Sequence, residues 1–331
     1  MQWKLYIPDG TQDILAKDAQ LKRDTENTMI EVFRHAGFRE IVTPTLEFFD
    51  SFSGHRDIIP EENMIKLVDD EGRILVLRPD LTVPCARVAA TKLKDIRPLK
   101  LCYRGTIYRS KKERYLDLKE IAQAGCEIIG ESDVAADAEI IVTAIESLLR
   151  SGLSDFTVEL GQVNYFKGLM NGTDLPFEDK DHLRHLVDKK DFLGLEQQVE
   201  AHHVGGDLKK ALIELPGLYG DTSLLKGLSS YDLDEKAKDA VENLSEVVAM
   251  VEKRGYGKYL ALDLGMVGEL SYYTGLIFQG FAPGFGTPIL SGGRYDHLVE
   301  KFGEPTAATG FSVNVDFLLD ILSNGEEGDA E

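Results

Sequence analysis

KLCYRGTIYR, residues 100–109, and KEIAQAGCEII, residues 119–129, are the stretches on which the fold turns. Both are rich in β-branched, aromatic and small residues and read as strands. Working outward, Arg73–Arg78 (RILVLR), Tyr259–Leu264, Tyr272–Phe281 and Ala307–Val313 carry the same signature, and Val83–Leu93 is helical in composition. Arg39–Phe49 is β-branched and aromatic but contains Pro44, which marks an edge, a bulge or a chain-pairing element. Asp18–Ala36 places Leu21, Met29, Val32 and Phe33 at helical spacing and stops at Gly37. Ser132 or Asp133 caps a helix whose apolar stripe is Val134, Ala138, Ile141, Ile145, Leu148 and Leu149. Phe317–Leu322 reads as a closing helix. Strands and helices do not alternate as βαβ units, so the expected class is α+β, an antiparallel sheet flanked by helices.

From Gln162 to about Gly255 strand signals vanish. Short polar helical stretches bring His182, His185, His202 and His203, and Asp234 leads a helix with Ala237, Val241, Leu244, Val248 and Val251 on one stripe. The expected organisation is a core over 1–161 and 256–322, a helical insertion over 162–255, and an acidic, disordered tail over 323–331 carrying Glu326, Glu327, Asp329 and Glu331. The chain has 331 residues, 43% of them hydrophobic, enough to bury a core. Its 37 Lys and Arg against 57 Asp and Glu leave a net charge of −20, which argues against gripping a nucleic-acid backbone. Cys85, Cys102 and Cys126 are an odd set without close spacing and read as buried thiols of a reducing compartment. No apolar run spans a membrane and Met1–Gly10 lacks a signal pattern, so a cytoplasmic protein is expected.

Four segments have the residue types for chemistry. Arg78-Pro79-Asp80-Leu81-Thr82 sets a carboxylate beside a hydroxyl, a receptor for an ammonium group or a helix N-cap. Tyr103–Arg114 clusters Arg104, Arg109, Lys111, Lys112 and Arg114, suited to a carboxylate or phosphate, or simply a solvated hairpin loop. On a strand, Gln123, Gly125 and Glu127 share one face, and a carboxylate among Ile128 and Ile129 needs a partner. Leu270–Phe278 with Tyr272 and Tyr273, followed by Ser291-Gly292-Gly293-Arg294-Tyr295-Asp296, reads as a pocket wall with a Gly-rich turn, or as sheet core with a tight turn. His182 and His185 lack a metal-site context, and no phosphate loop or nucleophile turn is present; no metal or cofactor is expected.

In this order the segments resemble the class II aminoacyl-tRNA synthetase core of the histidyl-tRNA synthetase family. Met29–Phe49 is similar to its first motif, a helix and strand that build a dimer interface; Tyr103–Ile129 to its second; Gly310–Leu318 lies where the third belongs; and Tyr272-Tyr273-Thr274 matches the tyrosine pair of the histidine-specific peptide. The resemblance assigns Asp80, Thr82 and Gln123 to the α-ammonium of histidine, Glu127, Tyr273 and nearby Tyr272 to the imidazole, and Arg109 to the carboxylate or phosphate side. Asp80 stands where the family has the longer Glu.

The departures are as informative. Gly268 stands where the histidine-specific peptide has an arginine that polarises the substrate carboxylate, Phe317 stands at the third-motif arginine, and the arginine-bearing second-motif loop reads Ser110-Lys111-Lys112-Glu113. No anticodon-binding domain is expected after the third motif. A synthetase-like core with its amino-acid site kept and its nucleotide arginines lost resembles the ATP phosphoribosyltransferase regulatory subunit family. That resemblance implies a non-catalytic, histidine-responsive subunit in a hetero-octamer with a short-form catalytic partner, four of each, self-associating through the first-motif region and binding no tRNA. The alternative it leaves is an amino-acid-activating ligase.

Overall fold

The computed structural model describes residues 3–53, 59–110, 118–228, 233–268 and 272–328. In chain order its elements are α1 (Ala16–His35), β1 (Arg39–Glu40), β2 (Leu46–Phe48), β3 (Lys66–Val68), β4 (Ile74–Leu77), α2 (Thr82–Thr91), β5 (Leu99–Tyr108), β6 (Glu120–Ile129), α3 (Val134–Arg150) and β7 (Thr157–Gln162). There follow α4 (Val163–Asn171), α5 (Phe177–Asp188), α6 (Phe192–Ala201), α7 (Gly206–Glu214), β8 (Tyr219–Gly220), α8 (Leu224–Leu228) and α9 (Glu235–Lys253). The chain closes with β9 (Leu260–Asp263), β10 (Leu276–Phe281), β11 (Leu290–Arg294), β12 (Ala308–Asn314) and α10 (Val315–Gly328).

Nine strands form one sheet in the order β1-β5-β6-β12-β11-β10-β7-β9-β8, and β2-β4-β3 form a separate three-stranded sheet. The long sheet is antiparallel through its centre, as expected; the β1–β5 and β7–β9 pairs near its margins are parallel. Period-two alternation splits the centre into two faces. Ala122, Ala124, Cys126 and Ile128 of β6 join α1, α3 and much of the 162–255 segment in one apolar core. Ile121 and Ile129, with Leu101, Tyr103 and Ile107 of β5, join α2 in a second. Glu127 belongs by parity to this second face, opposite Leu101 in the ladder.

Helix ends follow local chemistry. Asp133 caps α3 by accepting from the Ala136 N–H, and Gly37 ends α1 with φ +88°. The stripe on α1 differs from expectation at Leu21, which is exposed, while Thr25, Met29, Ile30, Val32 and Phe33 face inward. The expected strand over Arg39–Phe49 is broken into β1 and β2 around Pro44. Three further differences concern strands. Ser291-Gly292-Gly293-Arg294, expected as a turn, lies in β11 between β10 and β12. Tyr272–Gly275 precede β10 instead of belonging to it, and β7 and β8 lie where no strand is expected, β8 inside the 162–255 segment. The closing helix also continues through Gly328, past the expected start of a disordered tail, while 329–331 lie outside the described residues. Its start is well anchored: Asn314 accepts from the Phe317 N–H, and Asp316 accepts from the Ala122 N–H and pairs with Lys22. All three cysteines are buried and free. No helix among the described residues is long and apolar enough to cross a membrane.

Candidate functional site

A cavity of about 350 Å³ opens on the second face of the long sheet, and all seven residues expected of the site line it: Asp80, Thr82, Arg109, Gln123, Glu127, Tyr272 and Tyr273. They come from the turn into α2, the residue after β5, the middle of β6, and the segment before β10. Alternation explains why Arg109 joins them and Arg104 does not. Arg104 points to the other face, toward Asn27 of α1 and Glu40. Lys111, Lys112 and Arg114 lie outside the described residues.

Glu127 is fully buried. Tyr103 donates its hydroxyl to Glu127 Oε1 at 2.8 Å, and Tyr295 donates to Oε2. Burial pushes the Glu127 carboxyl up to about 8, against the opposing pull of the bonds from Tyr295, Tyr103 and Thr82. The site is thus a carboxyl whose two oxygens are fixed by phenols, facing a cavity. The ring of Tyr272 stacks on Tyr295 at 5.6 Å between centroids and meets Tyr273 edge-on at 4.7 Å. Such a wall suits a flat ring carrying an N–H.

Across the cavity, Asp80 accepts from the Val83 N–H at 2.8 Å, a bond that ties its carboxyl to the first turn of α2. Burial raises its pKa, while the Val83 bond and the Arg109 charge oppose the rise. The Gln123 Oε1 is buried without a hydrogen-bond partner among the described residues. A buried acceptor left open beside a carboxylate and the Thr82 hydroxyl is a place for an ammonium group.

Glycines bring these groups close. A Cβ on Gly310 would sit 1.5 Å from Glu127 Oε2, and one on Gly125 would be 2.4 Å from the Phe311 carbonyl oxygen. Only hydrogen at these positions lets Glu127 lie flat on the sheet. The tyrosine segment is pinned from the other side. Thr274 N–H donates to Arg294 O at 2.8 Å, its hydroxyl donates to Asp296 Oδ2 at 2.9 Å, and buried Arg294 pairs with Asp137 at 3.0 Å.

Tyr103 and Tyr295 are the functional residues that sequence reasoning misses. Both fall in segments it singles out, but Tyr295 is far from Glu127 along the chain and only the β11–β12–β6 register brings them together. Of the two positions where the resemblance expects synthetase arginines, Phe317 lines the cavity and packs on Phe285 at 5.5 Å, while Gly268 lies near Tyr273 without lining the cavity. No cluster of His, Cys, Asp and Glu among the described residues has metal-site geometry.

Comparison with known proteins gives the family. A family model for histidyl-tRNA synthetase matches residues 10–318. An ATP phosphoribosyltransferase regulatory subunit of Acetivibrio thermocellus is 47% identical over 97% of this chain and 77% of its own length. One from Clostridium kluyveri is 42% identical over 99% of this chain and 85% of its own. A crystal structure of an ATP phosphoribosyltransferase regulatory subunit/histidyl-tRNA synthetase from Bacillus halodurans superposes with a TM-score of 0.88 at 34% identity, covering 95% of this chain and 82% of that one. The histidyl-tRNA synthetase of a Nostoc species shares the fold, with a TM-score of 0.82 at 20% identity over 97% of this chain and 76% of that one. On a histidyl-tRNA synthetase-type core, then, this chain belongs to the ATP phosphoribosyltransferase regulatory subunit family.

Proposed function

We propose that this chain is the regulatory partner of a short-form catalytic ATP phosphoribosyltransferase, required for that enzyme's activity in the first step of histidine biosynthesis, and that L-histidine in its cavity is the feedback signal. One observation carries the reading: the acceptors for an ammonium group and for an imidazole lie together in the cavity, whereas positions that hold nucleotide-facing arginines in synthetases are Gly268 and Phe317. Bound histidine acts through its different affinity for two states of the complex. A coupling of 1–3 kcal/mol corresponds to about 5–150-fold in affinity.

The working assembly is a cytoplasmic hetero-octamer, four of each subunit. The small sheet supports self-association through the first-motif region: Leu46 and Phe48 of β2 and Leu67 of β3 present a half-exposed apolar face. A net charge of −20 disfavours tRNA as a partner. Asp80, Thr82, Arg109, Gln123, Glu127, Tyr272 and Tyr273 are the histidine-binding set, and the chain has no aminoacylation of its own.

The test assays a purified short-form catalytic subunit alone, with this chain, and with this chain plus histidine. Association, activation and histidine-dependent inhibition are expected. A catalytic subunit that neither binds nor responds to this chain rejects the proposal, and histidine-dependent exchange of pyrophosphate into ATP would favour the ligase reading instead.

A further inference from the structure

Between β9 and β10 the described residues, 264–268 and 272–275, have little regular structure of their own. Backbone polar groups there need partners, and residues of the 162–255 segment supply several of them. Leu264 N–H donates to Leu218 O at 3.0 Å. Arg184 of α5 donates through Nη1 to Gly268 O at 3.2 Å. Lys167 of α4 donates to Tyr273 O at 3.1 Å, and Asn164 of α4 donates through Nδ2 to Thr274 O at 2.8 Å. Lys190, just after α5, pairs with Asp263 at 3.0 Å. Arg184 is itself buried and held by Asp181 at 2.8 Å. These donors are anchored, and the same segment carries Tyr272 and Tyr273 into the cavity.

A segment gripped by helices on one side and carrying pocket tyrosines on the other cannot close on a ligand without moving its donors or losing them. We propose that α4 and α5 are the transmitting arm of the pocket: Asn164, Lys167 and Arg184 strap the carbonyls of Gly268, Tyr273 and Thr274, so that filling the cavity shifts the packing of α5, α6 and α7. The inference rests on the histidine reading given above. The three are positioning residues; none of them lines the cavity. The guanidinium near Gly268, where a synthetase carries an arginine, comes here from a different helix and grips backbone instead of facing the cavity. α5 packs on α6 and α6 on α7, so a displaced α5 is felt along the whole group.

The test is amide hydrogen exchange on the full chain with and without saturating histidine, with calorimetry on the same samples. Histidine is expected to slow exchange in α5, α6 and α7 as well as in the strands under the cavity. Arg184→Met should still bind histidine, weakened within the 5–150-fold range that couplings of this kind span, and should lose the response in α5–α7; Arg184→Lys, which keeps a donor, should restore part of it. Calorimetric binding with exchange changes confined to β5, β6, β12 and the Tyr272–Leu276 stretch overturns the strap alone. No calorimetric binding to the wild-type chain overturns the pocket reading and the strap with it. Should either variant fail to fold, the wild-type comparison decides by itself.

Discussion

Glu127 is a carboxyl, not a carboxylate, at neutral pH, because burial raises it to about 8 from an ordinary 4.5. Free imidazole titrates near about 6.5. In the complex the acid and the ring hold one proton between them, whether it is written as carboxyl with neutral ring or as carboxylate with imidazolium. The proton count is the same in both. Below the imidazole pKa histidine must therefore shed a proton to bind, and above the Glu127 pKa the pair must take one up. Each limb costs about tenfold in affinity per pH unit. Affinity should peak near pH 7 and lie about tenfold lower at pH 5.5 and at pH 9, the alkaline limb being steepened by the ammonium's own titration.

Calorimetry in buffers of different ionisation enthalpy reads both the affinity and the protons exchanged. The Glu127→Gln variant separates the contributions: it should lose about 1.5–3 kcal/mol of binding at neutral pH, the scale of a hydrogen bond to a charged group. It should also lose the part of the alkaline proton uptake that belongs to Glu127. A wild-type affinity flat from pH 5.5 to 9, or proton uptake at pH 9 identical in wild type and variant, would refute the reasoning.

Stability has its own pH signature. Between pH 4.5 and 8 the folded chain keeps a proton on Glu127 that the unfolded chain has released, so stability falls as pH rises through that window. The loss approaches about 5 kcal/mol at roughly 1.4 kcal/mol per pH unit, and urea titrations at pH 5 and 9 should show Glu127→Gln gaining on wild type by several kcal/mol. Tyr295→Phe removes the donor to Oε2; calorimetry should find histidine binding weaker and the alkaline limb moved to higher pH, since that bond opposes the rise that burial causes. Gly310→Ala puts a methyl 1.5 Å from Glu127 Oε2; denaturant titration should show a cost of about 1–3 kcal/mol, typical of overpacking, and calorimetry no histidine binding. Phe48→Asp, at a position 48% exposed, should shift sedimentation from dimer to monomer and leave the circular dichroism unchanged.

The readable part of this molecule is local. The alternation in Lys119–Ile129 puts Gln123, Gly125 and Glu127 on one face, and the structure brings Gln123 and Glu127 to one cavity with Arg109 and the tyrosine pair. Asp133 and Gly37 mark helix ends where their chemistry says they should. What the sequence hides is paid out over long distances. Two glycines make Ser291–Arg294 look like a turn, yet they are there because a Cβ on Gly292 would meet the Gly310 carbonyl oxygen at 2.5 Å across a central strand pair. The Tyr103 and Tyr295 grips on Glu127 depend on strand register, and the Arg184 contact to Gly268 depends on how α5 lies on the β9–β10 connection. None of these has a local period to read.

On the reading proposed above, the residues at Gly268 and Phe317 suit a core that keeps a ligand and has no use for catalysis. Binding free histidine needs groups that meet its ground state: the Asp80 carboxylate, the open Gln123 oxygen and the Glu127 carboxyl. Activating it needs cations that meet charge appearing only in the transition state, and those add rate without adding ground-state affinity. Removing one such group typically costs about 2.7–4 kcal/mol of transition-state stabilisation. At Phe317 the replacement is a ring packed on Phe285 at 5.5 Å, which closes the cavity with apolar surface and adds nothing that could hold a phosphate. The Gly268 carbonyl accepts from Arg184 of α5, and neither residue lines the cavity. Phe317 gives the cavity an apolar wall, and the Gly268 carbonyl is tied to α5. On the same reading, both leave Asp80, Gln123 and Glu127 in the cavity wall, so histidine bound there can bias a conformational equilibrium instead of entering a reaction.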